Sequence, residues 1–172
     1  MSLRPIIIKL TPAEMLIGEH VGRMRQAIAR SRNWQTLNGG PNDFQAEENH
    51  ILGAQGEMAT ASHFNLFWNI QVGQLGGVDV GGMIEVRARR HAHGLKITNG
   101  DNDRLPFVDV YADPPSFKLN GWCIARDGKR PALLSDLGNG RAPAFWVPEN
   151  ILRPMLELAE WVERWRAERL SV

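Results

Sequence analysis

The sequence predicts a single domain, residues 1–172, of mixed α/β (α+β) class, in which a mixed central sheet of about four to five strands is flanked by helices. Three observations support this prediction. Short stretches of alternating apolar and polar residues, typical of half-buried strands, occur between residues 84 and 125. Apolar residues at helical spacing precede and follow them. A hydrophobic content of 43% in 172 residues is enough to build one core.

Composition and charge limit the classes of function. The formal net charge is +1, which excludes a polycationic nucleic-acid coat protein. The single cysteine, Cys123, cannot form an internal disulfide, and its neighbours Trp122 and Ile124 predict a buried thiol in a reducing, intracellular setting. No apolar run has transmembrane length and residues 1–5 lack signal-peptide form, so we expect a cytoplasmic protein without membrane partners.

The N-terminal residues predict a strand or packed arm followed by a helix. Residues 6–8 are three isoleucines. Thr11, Pro12 and Glu14 then have the pattern of a helix start, with Thr as N-cap and Glu three residues after it. Helical spacing predicts one buried stripe, formed by Ile17, Val21, Met24 and Ile28. The end of the helix is basic, which predicts a solvated face or a phosphate-contacting surface, formed by Arg23, Arg25, Arg30 and Arg32.

A second helix is predicted at about residues 44–64, polar in its first half and small and apolar in its second. His50, Gly53, Glu57 and Ala61 recur at intervals of three and four residues and therefore share one face. Glu57 lies among small residues where burial is expected, although its own segment offers no cation to balance its charge. The alternative is a glutamate at the helix edge that reaches water.

The stretch from Val78 to Arg90 predicts two short strands joined by a glycine turn. Because strand side chains alternate between faces, one face of the second strand can be apolar and the other charged. The apolar set is Ile84, Val86 and Ala88, and the charged set is Glu85, Arg87 and Arg89.

The length of the turn decides whether a second acid, Asp79, joins Glu85. A two-residue loop, 81–82, places Asp79 opposite Ile84 on the apolar face, whereas a three-residue loop, 81–83, places it opposite Glu85. The glycines supply the left-handed backbone that such loops need. Only the longer loop brings two carboxylates together, and because these repel each other, their convergence would imply a metal ion.

The remaining chain predicts three further strands and a closing helix. Strands are expected at about 95–97, 107–111 and 117–125, the last two forming an antiparallel hairpin that closes the sheet. For the His91 and His93 pair we favour a solvated turn over a zinc site, since the nearby sequence offers no cysteine or third histidine. Residues 146–150 are expected to open a helical segment whose main helix starts at Pro154. Its predicted buried stripe is Met155, Leu158, Val162 and Trp165.

The hairpin and the preceding helix together resemble the PD-(D/E)XK nuclease superfamily. That family places Asp and then Glu-x-Lys on a β-hairpin, with a further Glu on a preceding helix. The matching residues here are Asp79, then Glu85-Val86-Arg87, and Glu57. The motif covers about residues 53–90, and it departs from the family at Arg87, where the family usually has lysine. The resemblance implies a restriction-endonuclease-like core and an Mg²⁺-dependent deoxyribonuclease.

The resemblance also implies a metal site. Asp79 and Glu85 would bind Mg²⁺ or Mn²⁺ directly, and the carbonyl oxygen of Val86 would be a third ligand. Glu57 would hold a second ion or orient the attacking water. Ions held in this way can activate water, neutralise charge on the phosphate and assist the leaving oxygen.

The cations near the motif would then act on the phosphates. Arg87 would stabilise the phosphate in the transition state, because an arginine stays protonated and is a poor general base. The family tolerates relocation of its motif lysine, and Lys96 on the next strand is the candidate for that position. Arg89, Arg90 and Lys96 would contact the backbone of a nucleic acid, with DNA as the expected partner.

Two other classes of function stay open. The domain could keep the nuclease fold and bind DNA without cutting it, with Arg87 as the mark of lost catalysis. It could also be a structural or assembly protein whose carboxylates are incidental. The sequence does not choose between DNA and RNA or between a monomer and a homodimer.

Overall fold

The computed structural model describes residues 5–32, 43–73, 77–91, 93–136 and 142–170. Its helices are α1 (Pro12–Ser31), α2 (Asp43–Phe64), α3 (Ala125–Gly128) and α4 (Met155–Leu170). Its strands are β1 (Ile6–Lys9), β2 (Glu85–Arg89), β3 (Leu95–Ile97), β4 (Pro106–Asp113), β5 (Ser116–Ile124), β6 (Leu134–Ser135) and β7 (Ala144–Val147). Within these ranges, no helix is both long and apolar enough to span a bilayer.

The strands form two sheets. The main sheet has the order β1-β5-β4-β2 and is mixed, because β2 runs parallel to β4 while the other neighbours are antiparallel. A smaller antiparallel sheet has the order β3-β7-β6. The predicted mixed α/β class, with a four-stranded mixed sheet flanked by helices, is confirmed. The hairpin of β4 and β5 lies at the centre of the main sheet instead of closing it, and the predicted strand at 95–97 belongs to the smaller sheet.

Each face of the main sheet buries its own cluster of apolar side chains. One cluster joins β4 and β5 to α2 and α4, and it includes the predicted residues Met155, Leu158 and Val162. The other joins the opposite face to the smaller sheet and includes Phe107 and Cys123. The main sheet therefore lies between a layer of helices and the smaller sheet, and the predicted burial of Cys123 is confirmed.

The N-terminus of α1 is capped as predicted, whereas the predicted apolar stripe is buried at Val21, half-buried at Ile28 and wrong at Ile17 and Met24. The Thr11 hydroxyl accepts the Glu14 N–H, and the Glu14 carboxylate accepts the Thr11 N–H. Ile17 and Met24, however, are 50% and 40% exposed. The buried positions of α1 are Gly18, Val21, Gly22 and Gln26.

The glycines explain this difference. A Cβ added to Gly22 would lie 2.4 Å from the Cα of Ile51, and one added to Gly18 would lie 2.5 Å from the Gln55 side chain. The backbone of α1 therefore lies directly against α2, and this close approach turns larger residues at neighbouring positions towards solvent.

The expectation of helix at 146–150 is also wrong. Trp146 and Val147 belong to β7, where Trp146 pairs with Lys96 of β3. Consecutive aromatic and β-branched residues favour a strand with both faces partly covered. The strand ends before Pro148. Only a single 3₁₀ turn, Glu149–Ile151, precedes α4.

Candidate active site

Helix α2 places Glu57 in the interior, next to β2. The preceding residue, Gly56, lies so close to the sheet that an added Cβ would be 2.4 Å from the Cβ of Ala88. This contact fixes the distance between helix and strand, and Glu57 is only 6% exposed. The predicted burial of this glutamate is therefore confirmed.

Arg25 of α1 provides the cation that α2 itself lacks. Its Nη1 and Nη2 atoms donate to the two carboxylate oxygens of Glu57 at 2.7 Å each, and its Nε donates to the carbonyl of Gln71 at 2.8 Å. The indole Nε1 of Trp68 donates to Glu57 at 2.9 Å. A bidentate pair with further hydrogen bonds offsets much of the cost of burying the two charges.

Of the two strands predicted between Val78 and Arg90 only the second forms, because the first is limited to isolated bridges of Val80. The hairpin turn has the longer loop. Val80 and Ile84 exchange two backbone hydrogen bonds of 3.0 Å, which leaves the three residues 81–83 in the turn. Gly81 and Gly82 have φ angles of 60° and 68°, the left-handed conformation that the loop requires. Asp79 and Glu85 are consequently opposite each other, as the three-residue register predicts.

A second segment, residues 68–69, contacts the backbone around Asp79. The Asn69 N–H donates to the carbonyl of Asp79 at 3.0 Å, and the Asn69 side chain donates to the carbonyl of Val78 at 3.1 Å. Trp68 forms a bridge with Val80. The backbone of Asp79 is thus held between this segment and the second arm of the hairpin, and the same segment brings Trp68 to Glu57.

The side chains of Asp79 and Glu85 are hydrogen-bonded to each other, and Asp79 also accepts the Val86 N–H at 2.8 Å. Burial, followed by the charges of Glu57 and Glu85, raises the pKa of Asp79 to about 8. Burial also raises the pKa of Glu85, aided by Asp101 and Glu57 and opposed by Arg87. Two carboxyl groups this close repel each other when both are ionised, and Asp79, with a pKa of about 8, keeps its proton at neutral pH.

Arg87 lies beside this pair but is held mainly by another acid. Its Nη2 donates to Asp101 at 3.0 Å, whereas Nη1 is 3.6 Å from the Glu85 carboxylate. The guanidinium carbon is 4.9 Å from the centre of the Phe107 ring. The predicted positive charge is therefore present at the site, in an orientation fixed by Asp101 and Phe107.

The other cations predicted to contact nucleic acid lie in different places. Arg89 forms an ion pair with the buried Asp109 at 2.6 Å, and it borders a cleft that Lys96 also lines. Arg90 pairs with Glu48 at 2.9 Å, and its side chain is 48% exposed. Arg90 is thus outside the set of cations that line the cleft.

The residues expected to bind a metal ion differ in whether they are already paired with another side chain. Asp79, Glu85 and the Val86 carbonyl supply the hard oxygen ligands that Mg²⁺ prefers, and one or two carboxylates are sufficient for that ion. Glu57 is engaged by Arg25 and would be a ligand only after that pair separates. In the described ranges, no three His, Cys, Asp or Glu side chains are already grouped to hold a metal ion.

The sequence pattern predicted neither role seen near this site: it placed Arg25 on a solvated or phosphate-contacting face, which is wrong because Arg25 pairs with the buried Glu57, and it placed Trp146 in a helix. Arg25 lies three residues after Gly22 and four after Val21, on the face of α1 that packs on α2. A charged residue on a small-residue packing face was the available signal for a buried ion pair. Trp146 was assigned to a helix, so its position beside Lys96 was not considered.

No protein-family model, curated protein or solved structure matches the chain in the three comparisons made. The function must therefore be inferred from the residues and their geometry.

Proposed function

We propose that the protein is a metal-dependent nuclease with a site of the PD-(D/E)XK type, acting on nucleic acid with DNA as the expected substrate. The observation that supports this proposal is the register of the hairpin, which places the half-buried Asp79 and Glu85 opposite each other beside a third acid, the buried Glu57. Such an arrangement lowers stability at neutral pH, and strongly perturbed carboxyl groups are concentrated at functional sites.

The proposed ligands of Mg²⁺ or Mn²⁺ are Asp79, Glu85 and the carbonyl of Val86. When bound, the ion would supply charge neutralisation at the phosphate and activation of the attacking water. Binding would displace the proton of Asp79, whose pKa is about 8, because a metal ligand must be deprotonated. The Val86 N–H, which donates to Asp79 at 2.8 Å, would keep that carboxylate oriented.

Arg87 is proposed to bind the non-bridging oxygens of the phosphate. Its guanidinium has five N–H donors, and Asp101 and Phe107 hold it in place. A prepositioned cation of this kind stabilises charge that develops in the transition state without first having to reorganise. Arg25 is proposed to hold the Glu57 carboxylate in its orientation until substrate and metal bind.

A second candidate function is nucleic-acid binding without cleavage. The observation that favours it is the bidentate Arg25–Glu57 pair, which occupies both oxygens of the helix glutamate. Arginine in place of the motif lysine is also consistent with lost catalysis.

Cleavage assays separate the two candidates. Labelled single- and double-stranded DNA would be incubated with wild type, Asp79→Asn and the exposed control Asp113→Asn, with Mg²⁺, Mn²⁺ or EDTA. We expect wild type and the Asp113→Asn control to cleave DNA only when metal is present. Asp79→Asn should lower the cleavage rate by at least 10²-fold. Binding by wild type without any cleavage would support the second candidate, and residual cleavage in EDTA would contradict the metal site.

A further inference from the structure

A cleft of about 630 Å³ lies between α2 and the smaller sheet, with β2 as its floor. Arg87, Arg89 and Lys96 line it, and Asp136 is the one acid among the described lining residues. Arg87 and Arg89 are at the same time paired with Asp101 and Asp109. At Gly53 of α2 the cleft is open, since a Cβ added there would meet no atom within 4 Å. The cleft is therefore a polar slot to which three cationic side chains contribute.

The indole ring of Trp146 lies in this cleft. Its Nε1 donates to the carbonyl of Ser135 at 3.3 Å, and the ring of His93 stands edge-on to the indole at 6.5 Å. The Arg89 guanidinium carbon and the Lys96 ammonium lie over the indole, 5.5 Å and 5.9 Å from its centre. A base that stacks on the indole would replace these cations over the ring and leave them to pair with the neighbouring phosphates.

The cleft leads to the acidic site along two elements. On α2, the lining residues Gln45, Asn49 and Gly53 are spaced by four, and Glu57 is the next position of that series. On β2, Val86 and Arg87 line the cleft, and the Val86 N–H holds Asp79. Asp79, Glu85 and Glu57 do not themselves line the cleft, but Glu85 is on the same face of β2 as Arg87, so a strand that continues along β2 beyond Arg87 would approach the carboxylates.

We propose that the cleft binds single-stranded nucleic acid, with a base stacked on Trp146 and phosphates on Arg87, Arg89 and Lys96. This inference rests on the proposed function, because it names the substrate class of the same site. Pockets of about 300–1,000 Å³ enclose a drug-sized ligand, so the cleft has room for one or two nucleotides. In a duplex the base faces are covered by their neighbours, and a base would have to leave the stack to reach Trp146.

Binding is tested in EDTA, where cleavage cannot occur. Fluorescence anisotropy would compare a labelled oligothymidylate with a duplex of the same length at several salt concentrations. We expect the single strand to bind at least tenfold more tightly than the duplex. The slope of log affinity against log salt should be about −2, since each neutralised phosphate of a single strand contributes about −0.7.

Three variants test the contacts. Trp146→Leu keeps apolar volume but loses the ring, and we expect at least a fivefold loss of affinity for the single strand. Gly53→Leu adds a side chain that fills the cleft at a position with open space around it, and it should weaken binding. It tests the same inference if Trp146→Leu does not fold. Lys96→Gln should reduce the salt slope by about 0.7, whereas the exposed control Arg126→Gln should change neither quantity.

The outcomes are distinct for the two proposals. Equal or tighter binding of duplex, or single-strand binding that Gly53→Leu leaves intact, would overturn the single-strand inference even if wild type cleaves duplex DNA with Mg²⁺. Single-strand binding that depends on Gly53 and Trp146, without cleavage in Mg²⁺ or Mn²⁺, would uphold the cleft and overturn the nuclease.

Discussion

Asp79→Asn is expected to stabilise the protein at pH 8 and to leave its stability unchanged near pH 4. Asparagine has the shape of aspartate, so its oxygen can still accept the Val86 N–H and its amide can donate to Glu85. The pKa of Asp79 is raised from 3.8 to about 8 in the fold. The stabilisation by its protonated form is therefore complete below about pH 4 and is lost as the pH rises towards 8.

The magnitude follows from the same numbers. A tenfold change in proton affinity is equivalent to about 1.4 kcal/mol, so the rise in pKa to about 8 limits the gain to about 6 kcal/mol. Relaxation of the hairpin around an ionised pair would reduce the gain, and we expect about 2 kcal/mol at pH 8. For a chain of this size that is an increase of about 4–8 °C in Tm.

The assay is urea denaturation in EDTA from pH 4 to pH 8.5, with wild type, Asp79→Asn and Asp113→Asn. The difference between Asp79→Asn and wild type should grow steadily across this range, while the exposed control stays within about 0.5 kcal/mol of wild type. A variant less stable than wild type at pH 8, or a gain that is the same at every pH, would refute the raised pKa of Asp79.

Three further predictions test the packing and the charges around the site. Gly22→Ala should destabilise the protein by about 2 kcal/mol or more in urea denaturation, because the added Cβ would meet the α2 backbone. Gly53→Ala, by contrast, should stabilise the protein by up to about 1 kcal/mol. Similar effects of the two substitutions would contradict the close approach of α1 to α2. Arg25→Gln should lower the free energy of unfolding by about 3–5 kcal/mol, because it leaves a buried charge unpaired, whereas the exposed Arg23→Gln should lower it by less than about 1 kcal/mol. Millimolar Mg²⁺ should raise the Tm of Arg25→Gln more than that of wild type. Equal losses of stability in the two variants would argue against the buried pair. Arg87→Ala should lower the cleavage rate by about 10²-fold without weakening metal binding, while Arg87→Lys keeps much of the rate; full activity of Arg87→Ala would move the role to Lys96.

Local patterns were sufficient to predict most of the fold and the hairpin. The alternation around Val86 and the two glycines of the turn limited Asp79 to two registers, and the structure has the one that brings Asp79 and Glu85 together. These inferences depend on residues close in sequence, where strand geometry limits the alternatives.

The rest depends on contacts between distant parts of the chain. The partner of Glu57 is Arg25, 32 positions earlier, and hydrophobic periodicity did not indicate it because glycines form the packing face of α1. Ile17 fits a helical stripe but faces solvent for the same reason. The position of Trp146 depends on pairing between β3 and β7, which no short-range pattern specifies.

The most direct test of the proposed metal site is calorimetric titration of Mg²⁺ and Mn²⁺ into wild type and Asp79→Asn at pH 7. We expect wild type to bind the ion saturably and to release a proton, seen as a heat that varies with the ionisation enthalpy of the buffer. Asp79→Asn should show no saturable binding. Absence of binding to wild type, or equal binding to both proteins, would contradict the assignment of Asp79 and Glu85 as a metal site.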